Sequence, residues 1–481
     1  MKKKIMTIIT MVMIIMVIVV KIVPAFASNK DTIFTGIDEL VKKYKPQGAS
    51  IALIENGEIT HVKNYGYANV ENKIPVNEHT AFKIASISKT MTAYGVMKLV
   101  EEGKLDLDKP ITEYLTKWKL PDTQFDETKL TLRTLMSHTS GVTDSTEYGY
   151  TQALPTIDKA LVQRGIQLKR DPGKVFEYSS FAGLGICQLI IEEVTGKKFE
   201  DYMQKEIFIP LGMAATKYDE DYKNPFVMAT PYAGLNKPVP IVPIVMNGAG
   251  GVSSTSVDLA NFVIKLMDYY HNSKSDMFIP QKNTKSKFGV YGLGIIPCTL
   301  ENGKTIYQHN GTLTGWNAQI AFEPDGKNGI AILTNSDRAF YFTYDALGVW
   351  SKIVADGIIK DTQMAYSIQN IISIAIVVLI GLMFIFVGLF IYRLSKKQLH
   401  FIKTKKSIVY SVIFSILIVI IPALWYFTLY TEIPFKMLFD IPNYCLFTFM
   451  TPNGHYIGMV LIIFVIIVIA RLFFRKKDIK A

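Results

Sequence analysis

Ser86 and Lys89 stand three residues apart, in Ser86-Ile87-Ser88-Lys89, just ahead of a stretch with helical patterning. At the first turn of a helix that spacing puts a hydroxyl and an amine on one face. The positive end of the helix favours the negative charge that develops there. A neutral Lys amine can take the Ser proton, which makes a nucleophile without His or Asp. The pair is short and common, so context must supply the rest. Downstream come Tyr178-Ser179-Ser180, after Pro172-Gly173, and then His309-Asn310-Gly311-Thr312.

The elements that must position these groups are legible at both ends of the segment. Residues 49–54 and 58–64 read as strands around an Asn56-Gly57 turn. Residues 316–322 and 329–334 read as a second hairpin around Pro324-Asp325-Gly326, and 345–358 as a closing helix. Between them, 90–102, 158–164, 181–195 and 256–270 carry helical patterning, with Gly196 as a C-cap. This predicts an α+β fold. One antiparallel sheet is built from both ends of the segment and flanked by helices, with a helical subdomain inserted. The site is expected in the cleft between sheet and insertion.

In the order Ser-x-x-Lys, Tyr-x-Ser, His-x-Gly, the sequence resembles the serine β-lactamase-like superfamily. Its nearest parts are class C β-lactamases, DD-carboxypeptidases, D-aminopeptidases and related esterases. Supporting phrases are Ser137-His138-Thr139-Ser140-Gly141, Pro210-Leu211-Gly212-Met213 and Gly250-Gly251-Val252-Ser253-Ser254. The likeness covers about 34–357 and implies a β-lactamase/transpeptidase-like fold. It implies that Ser86 forms the acyl-enzyme, Lys89 eases its deprotonation, and Tyr178 relays the proton and activates water. It also implies an oxyanion hole from the backbone N–H groups of Ser86 and Thr312, with Ser180, His309, Gly311 and Thr312 binding substrate. The phrase around His138 would be structural. Two departures matter. His309 stands where many relatives carry Lys, which removes a permanent cation. Ser180 stands where relatives usually carry Asn. Both lean away from β-lactam hydrolysis and toward a peptidase or esterase.

Composition bounds the remainder. The 481 residues are 49% hydrophobic with a mean hydropathy of +0.23. The excess is localised in apolar runs at 371–392, 408–430 and 456–474, each expected to be a transmembrane helix. Residues 1–27 read as a signal peptide: Lys2, Lys3 and Lys4, an apolar stretch, then Ala25-Phe26-Ala27. The net charge of +11 does not point to nucleic acid. Fifteen of the 52 basic residues lie in the signal region, in 393–406 and in the tail from Arg471. That distribution marks cytoplasmic segments. The expectation is a multi-pass cell-membrane protein, with an extracytoplasmic hydrolase domain at 28–362, a membrane domain at 363–481 and a cytoplasmic C-terminus. Three cysteines exclude a disulfide scaffold. No metal-ligand spacing occurs, and the mechanism implies no cofactor.

The expected partner is a small-molecule or peptide substrate containing D-amino acids, with the membrane alongside and no nucleic acid; the sequence names no protein partner. The function expected is a penicillin-binding-protein-like peptidase working through an acyl-enzyme. The alternatives are a β-lactamase or esterase, an acylated membrane sensor, and a prodrug-activating peptidase. The last resemblance rests on layout: peptidases of the colibactin type remove an N-acyl-D-amino-acid cap from a secreted precursor.

Overall fold

A computed structural model describes residues 33–144, 154–359, 363–430 and 452–476, apart from positions 220, 234–235, 242, 287–288, 326 and 403. The expected signal peptide and Cys445 lie outside the described residues. Two compact units emerge, one spanning Thr32–Met364 and the other made mainly of the residues after it.

The first unit opens with helix α1 (Ile33–Tyr44), whose Ile33, Ile37, Leu40 and Tyr44 are buried. Strands β1 (Gly48–Glu55) and β2 (Glu58–Asn69) then form the expected hairpin. Asn56 and Gly57 have φ of 54° and 82°. This pair of left-handed residues makes the tight turn whose twist matches the strands. After β3 (Ile74–Pro75) and β4 (Thr80–Lys83) comes helix α2 (Ile87–Glu101). Eleven of its fifteen residues are buried, so it is enclosed on all sides. Its small hydroxyl residues are satisfied by the surrounding loops. Thr90 donates to the Gly294 carbonyl at 2.7 Å and Thr92 to that of Gly248 at 2.7 Å.

Helix α3 (Ala182–Thr195) lies in the inserted part and ends at Gly196, φ 65°, as a left-handed cap. Strand β5 (Ser253–Ser254) pairs with β4, and helix α4 (Ser256–Asn272) follows, capped by Thr255. The chain returns to the sheet through β6 (Ile296–Thr299), β7 (Thr305–Leu313), β8 (Trp316–Glu323) and β9 (Asn328–Thr334). The main sheet has seven strands in the order β3-β2-β1-β9-β8-β7-β6. Strands β1 and β9 join the two ends antiparallel, with Ile51 opposite Ile332. The α+β arrangement of a helix-flanked sheet is therefore present.

The closing helix α5 runs Phe340–Val354, earlier than expected. Its first turn is drawn into the fold by buried Phe340, Tyr341 and Phe342. It stops before Asp356, whose φ of 51° cannot continue a helix. Cys187 is a buried free thiol, and Cys298 is buried with its sulfur accepting from Gln308 at 3.5 Å.

The second unit corrects two expectations: a fold ending in three transmembrane helices, and a multi-pass membrane location. Helix α6 (Gln363–Ser395) contains the one segment among the described residues that is long and apolar enough to cross a membrane, Ser373–Ser395. The other two apolar runs do form helices, α7 (Lys405–Tyr430) and α8 (Pro452–Leu472). Neither presents, over its described residues, a window of bilayer length and apolarity. Apolar runs also serve helix packing. Ser411 of α7 donates to the Leu472 carbonyl of α8 at 3.0 Å. A cavity of about 400 Å³ between them is lined by Val412, Ile416, Val419, Ile469 and Phe473. Short strands β10 (Leu399–Phe401) and β11 (Phe474–Lys476) pair antiparallel.

Candidate active site

Strand β4 delivers the chain to Ala85, held at φ 49°, and Ser86 then caps α2. A left-handed non-glycine residue is uncommon and turns the chain sharply. Ser86 is thereby left half-buried at the helix start. Three residues on, Lys89 is fully buried. Its Nζ lies 3.0 Å from Ser86 Oγ, 2.7 Å from the Ser180 carbonyl and 2.8 Å from the Ala249 carbonyl. Burial pulls the amine down to about 7, against an opposing pull from Asp144. Neutral and ammonium forms therefore coexist near neutral pH. In the neutral form two N–H groups satisfy the two carbonyls, which leaves the lone pair toward the Ser86 hydroxyl.

Tyr178 lies across from this pair. Its ring centroid is 5.3 Å from Lys89 Nζ, and its hydroxyl interacts with the Ser86 side chain. Burial pushes the phenol up, partly opposed by that Ser86 contact. Tyr178 is accordingly a neutral phenol, a proton donor and relay rather than a standing phenolate. It keeps 38% of its surface exposed, which leaves the site open on that side. Its ring packs at a tilt against His138, centroids 4.3 Å apart and planes 34° apart. His138 Nδ1 accepts the Ser179 N–H at 3.0 Å, which puts the imidazole proton on Nε2.

Strand β7 forms the opposite wall. A Cβ on Gly311 would sit 2.0 Å from the Ile84 carbonyl oxygen. Only glycine lets β7 press against the turn that presents Ser86. Residues two apart on a strand share a face, so His309 lies on the Gly311 side, and it is buried. Its Nδ1–H donates to the Asn310 carbonyl at 2.7 Å, and the Tyr291 hydroxyl donates to Nε2 at 2.6 Å. Burial, and to a lesser degree Lys89, holds its pKa down at about 3. His309 is thus neutral, not poised near its titration point as its residue type suggested. The Thr312 hydroxyl donates to Asn317 at 3.0 Å.

The structure brings Ser86, Lys89, Tyr178 and Ser180 into direct contact, Ser180 through its backbone. Gly311 lies against the Ser86 turn, while His309 and Thr312 flank it along β7. Sequence reasoning missed Tyr291, Ala249 and Asp144. Tyr291 belongs to a loop with glycines at 289, 292 and 294, a turn signal without chemical content. Asp144 follows the Ser137–Gly141 phrase with no spacing cue. Among the described residues no group of His, Cys, Asp and Glu could hold a metal.

A serine and a buried lysine at a helix start, faced by a tyrosine and an edge of antiparallel sheet, define a serine hydrolase related to β-lactamases and penicillin-binding proteins. Residues 35–351 match the Beta-lactamase family, and the chain belongs to it. It is 28% identical over 290 residues to "Putative penicillin-binding protein PbpX" of Bacillus subtilis (strain 168), covering 59% of this chain and 69% of that one. It is 25% identical over 327 residues to Protein flp of Staphylococcus aureus (strain MRSA252), covering 65% of this chain and 64% of that one. Among solved structures, the octameric penicillin-binding protein homologue from Pyrococcus abyssi superposes with a TM-score of 0.57 at 28% identity. That match covers 66% of this chain and 76% of the homologue.

Proposed function

We propose that the chain is a penicillin-binding-protein-like peptidase that cleaves D-amino-acid-containing peptides through an acyl-enzyme on Ser86. The observation that carries this is the 3.0 Å approach of Lys89 Nζ to Ser86 Oγ, with carbonyls on its other two positions. Ser86 Oγ bonds to the substrate carbonyl carbon while its proton passes to neutral Lys89. Tyr178 relays that proton to the leaving nitrogen, the C–N bond breaks, and the amine departs. Water then attacks the ester along the reverse proton path, freeing the acid and Ser86. The backbone N–H groups of Ser86 and Thr312 are assigned to the developing oxyanion, and Ser180, His309 and Gly311 to the substrate. The penicillin-binding relatives support the substrate class by likeness.

One observation favours a second reading. Neutral, enclosed His309 supplies no cation for a free C-terminal carboxylate. Substrates with an amide or ester there, such as an N-acyl-D-amino-acid cap on a larger amine, suit it better.

The test is a time course of labelling by a fluorescent penicillin, with Ser86→Ala as control. Lasting label that requires Ser86 supports the peptidase. Label that decays with released penicilloate indicates β-lactamase turnover. A folded chain that takes no label excludes the penicillin-binding reading, and N-acyl-D-amino-acid amides then become the substrates to assay.

A further inference from the structure

Asp144 follows the Ser137–Gly141 phrase by three residues, and among the described residues its carboxylate accepts from four groups. These are the Ser179 hydroxyl at 3.1 Å and the backbone N–H groups of Ser180 at 2.5 Å, Phe181 at 3.0 Å and Ala182 at 3.1 Å. The Ser180 residue is gripped at both ends. Its N–H points to Asp144, and its carbonyl accepts from Lys89 Nζ. Asp144 and Lys89 are thus separated by one residue's backbone. His138, six residues before Asp144, takes the Ser179 N–H and packs at a tilt against Tyr178.

We infer that Asp144 is a positioning residue for acylation: it pins the Tyr178–Ala182 backbone, holds Lys89 against Ser86 through the Ser180 residue, and places a negative charge behind the Lys89 amine. This rests on the reading that Ser86 and Lys89 perform the chemistry. A carboxylate at the start of α3 meets unpaired N–H groups and the positive end of the helix dipole, so it is well held. Its charge favours ammonium over amine at Lys89. Among the described residues, the other groups facing Lys89 add no competing charge. Tyr178 is a neutral phenol, His138 and His309 are neutral imidazoles, and the Asn247–Gly250 turn that supplies Ala249 has no titratable side chain. Asp144 therefore trades reactivity at low pH for a fixed geometry.

The experiment measures the pH dependence of Ser86 phosphonylation by a fluorophosphonate probe in the full-length chain. In that step Ser86 Oγ bonds to phosphorus, fluoride leaves, and the proton goes to Lys89. The wild-type rate rises with pH to a plateau, its midpoint marking Lys89. In Asp144→Asn the midpoint falls by about one unit, since an opposing charge is lost, and the plateau drops because one acceptor of the clamp is gone. A purely structural cap lowers the plateau without moving the midpoint, so an unchanged midpoint overturns the inference. If Asp144→Asn does not fold, Asp144→Glu carries the test. With the charge kept and the carboxylate displaced, its plateau falls while the midpoint stays at the wild-type value, and a moved midpoint overturns the inference. Wild-type protein unreactive at every pH removes the Ser86 reading and the inference with it, an outcome separate from either variant result.

Discussion

In the proposed mechanism the chemistry turns on Lys89, because burial does to it what sequence neighbours cannot. Its amine near 7 makes acylation rise with pH through that value, which a pH–rate profile of penicillin labelling will show. Lys89→Arg cannot release its proton, so labelling should fall by roughly 100- to 10,000-fold. The same shift has a stability consequence. The unfolded lysine titrates near 10.4, so between about 7 and 10 the unfolded chain binds a proton that the folded chain does not. Stability then increases with pH across that window. Relative to Lys89→Met, the wild type should gain about 1.4 kcal/mol per pH unit there, measured by denaturant unfolding at several pH values. A flat difference would mean that Lys89 stays charged when folded.

At the scale of elements, the meeting of β7 with the turn before α2 sets the width of the site. The missing Cβ at Gly311 is what allows it. Gly311→Ala must push strand and turn apart. A misplacement of about 1 Å at a reacting centre costs on the order of 100-fold, so Ser86 labelling should fall by that much while the fold persists by circular dichroism. From the loop that faces this strand, Tyr291→Phe removes the donor to His309 Nε2. A buried ring nitrogen left unsatisfied costs roughly 1–3 kcal/mol. The loss should appear as a lower denaturation midpoint with an unchanged slope, and full stability in the variant would show that water takes over the contact.

For the whole molecule, two buried neutral histidines make the fold acid-labile. His309 sits at about 3, and His138 is held well below its ordinary value, chiefly by desolvation. Both titrate near 6.5 when unfolded. Their contribution is complete above 6.5 and is lost as pH falls from there toward 3, because the unfolded state takes up protons the fold refuses. The melting temperature should therefore decline steadily between pH 6.5 and 4, less steeply in His309→Gln. The two ends of the first unit close on each other through β1 and β9. Residues Thr32–Met364 expressed alone should fold and label at the full-length rate. Slower labelling would show that the second unit takes part in the site.

Some of this was legible in the chain itself because its cause is local. The Ser86–Lys89 pair depends on helical spacing, the β1–β2 hairpin on a two-residue turn, and the end of α3 on a glycine. Each is decided by residues a few positions apart. The order of the motifs carried the family likeness. Strand β6 and strand β7, which carries His309, were not anticipated, although Asn302-Gly303 between them is a turn signal like Asn56-Gly57 and Gly303 takes φ 86°. Nor did the three apolar runs behave alike, because the same composition suits lipid and a neighbouring helix equally well. The sequence by itself determined the placing of Ser86 and Lys89 on one face of a helix start and the sheet built from both ends of their segment. Only the tertiary structure decided the protonation state of Lys89, the neutrality of His309 and the place of Asp144. Those depend on desolvation and on partners such as Asp144 with Ser180, 36 residues apart, and Lys89 with Ala249, 160 residues apart, which no short-range pattern encodes.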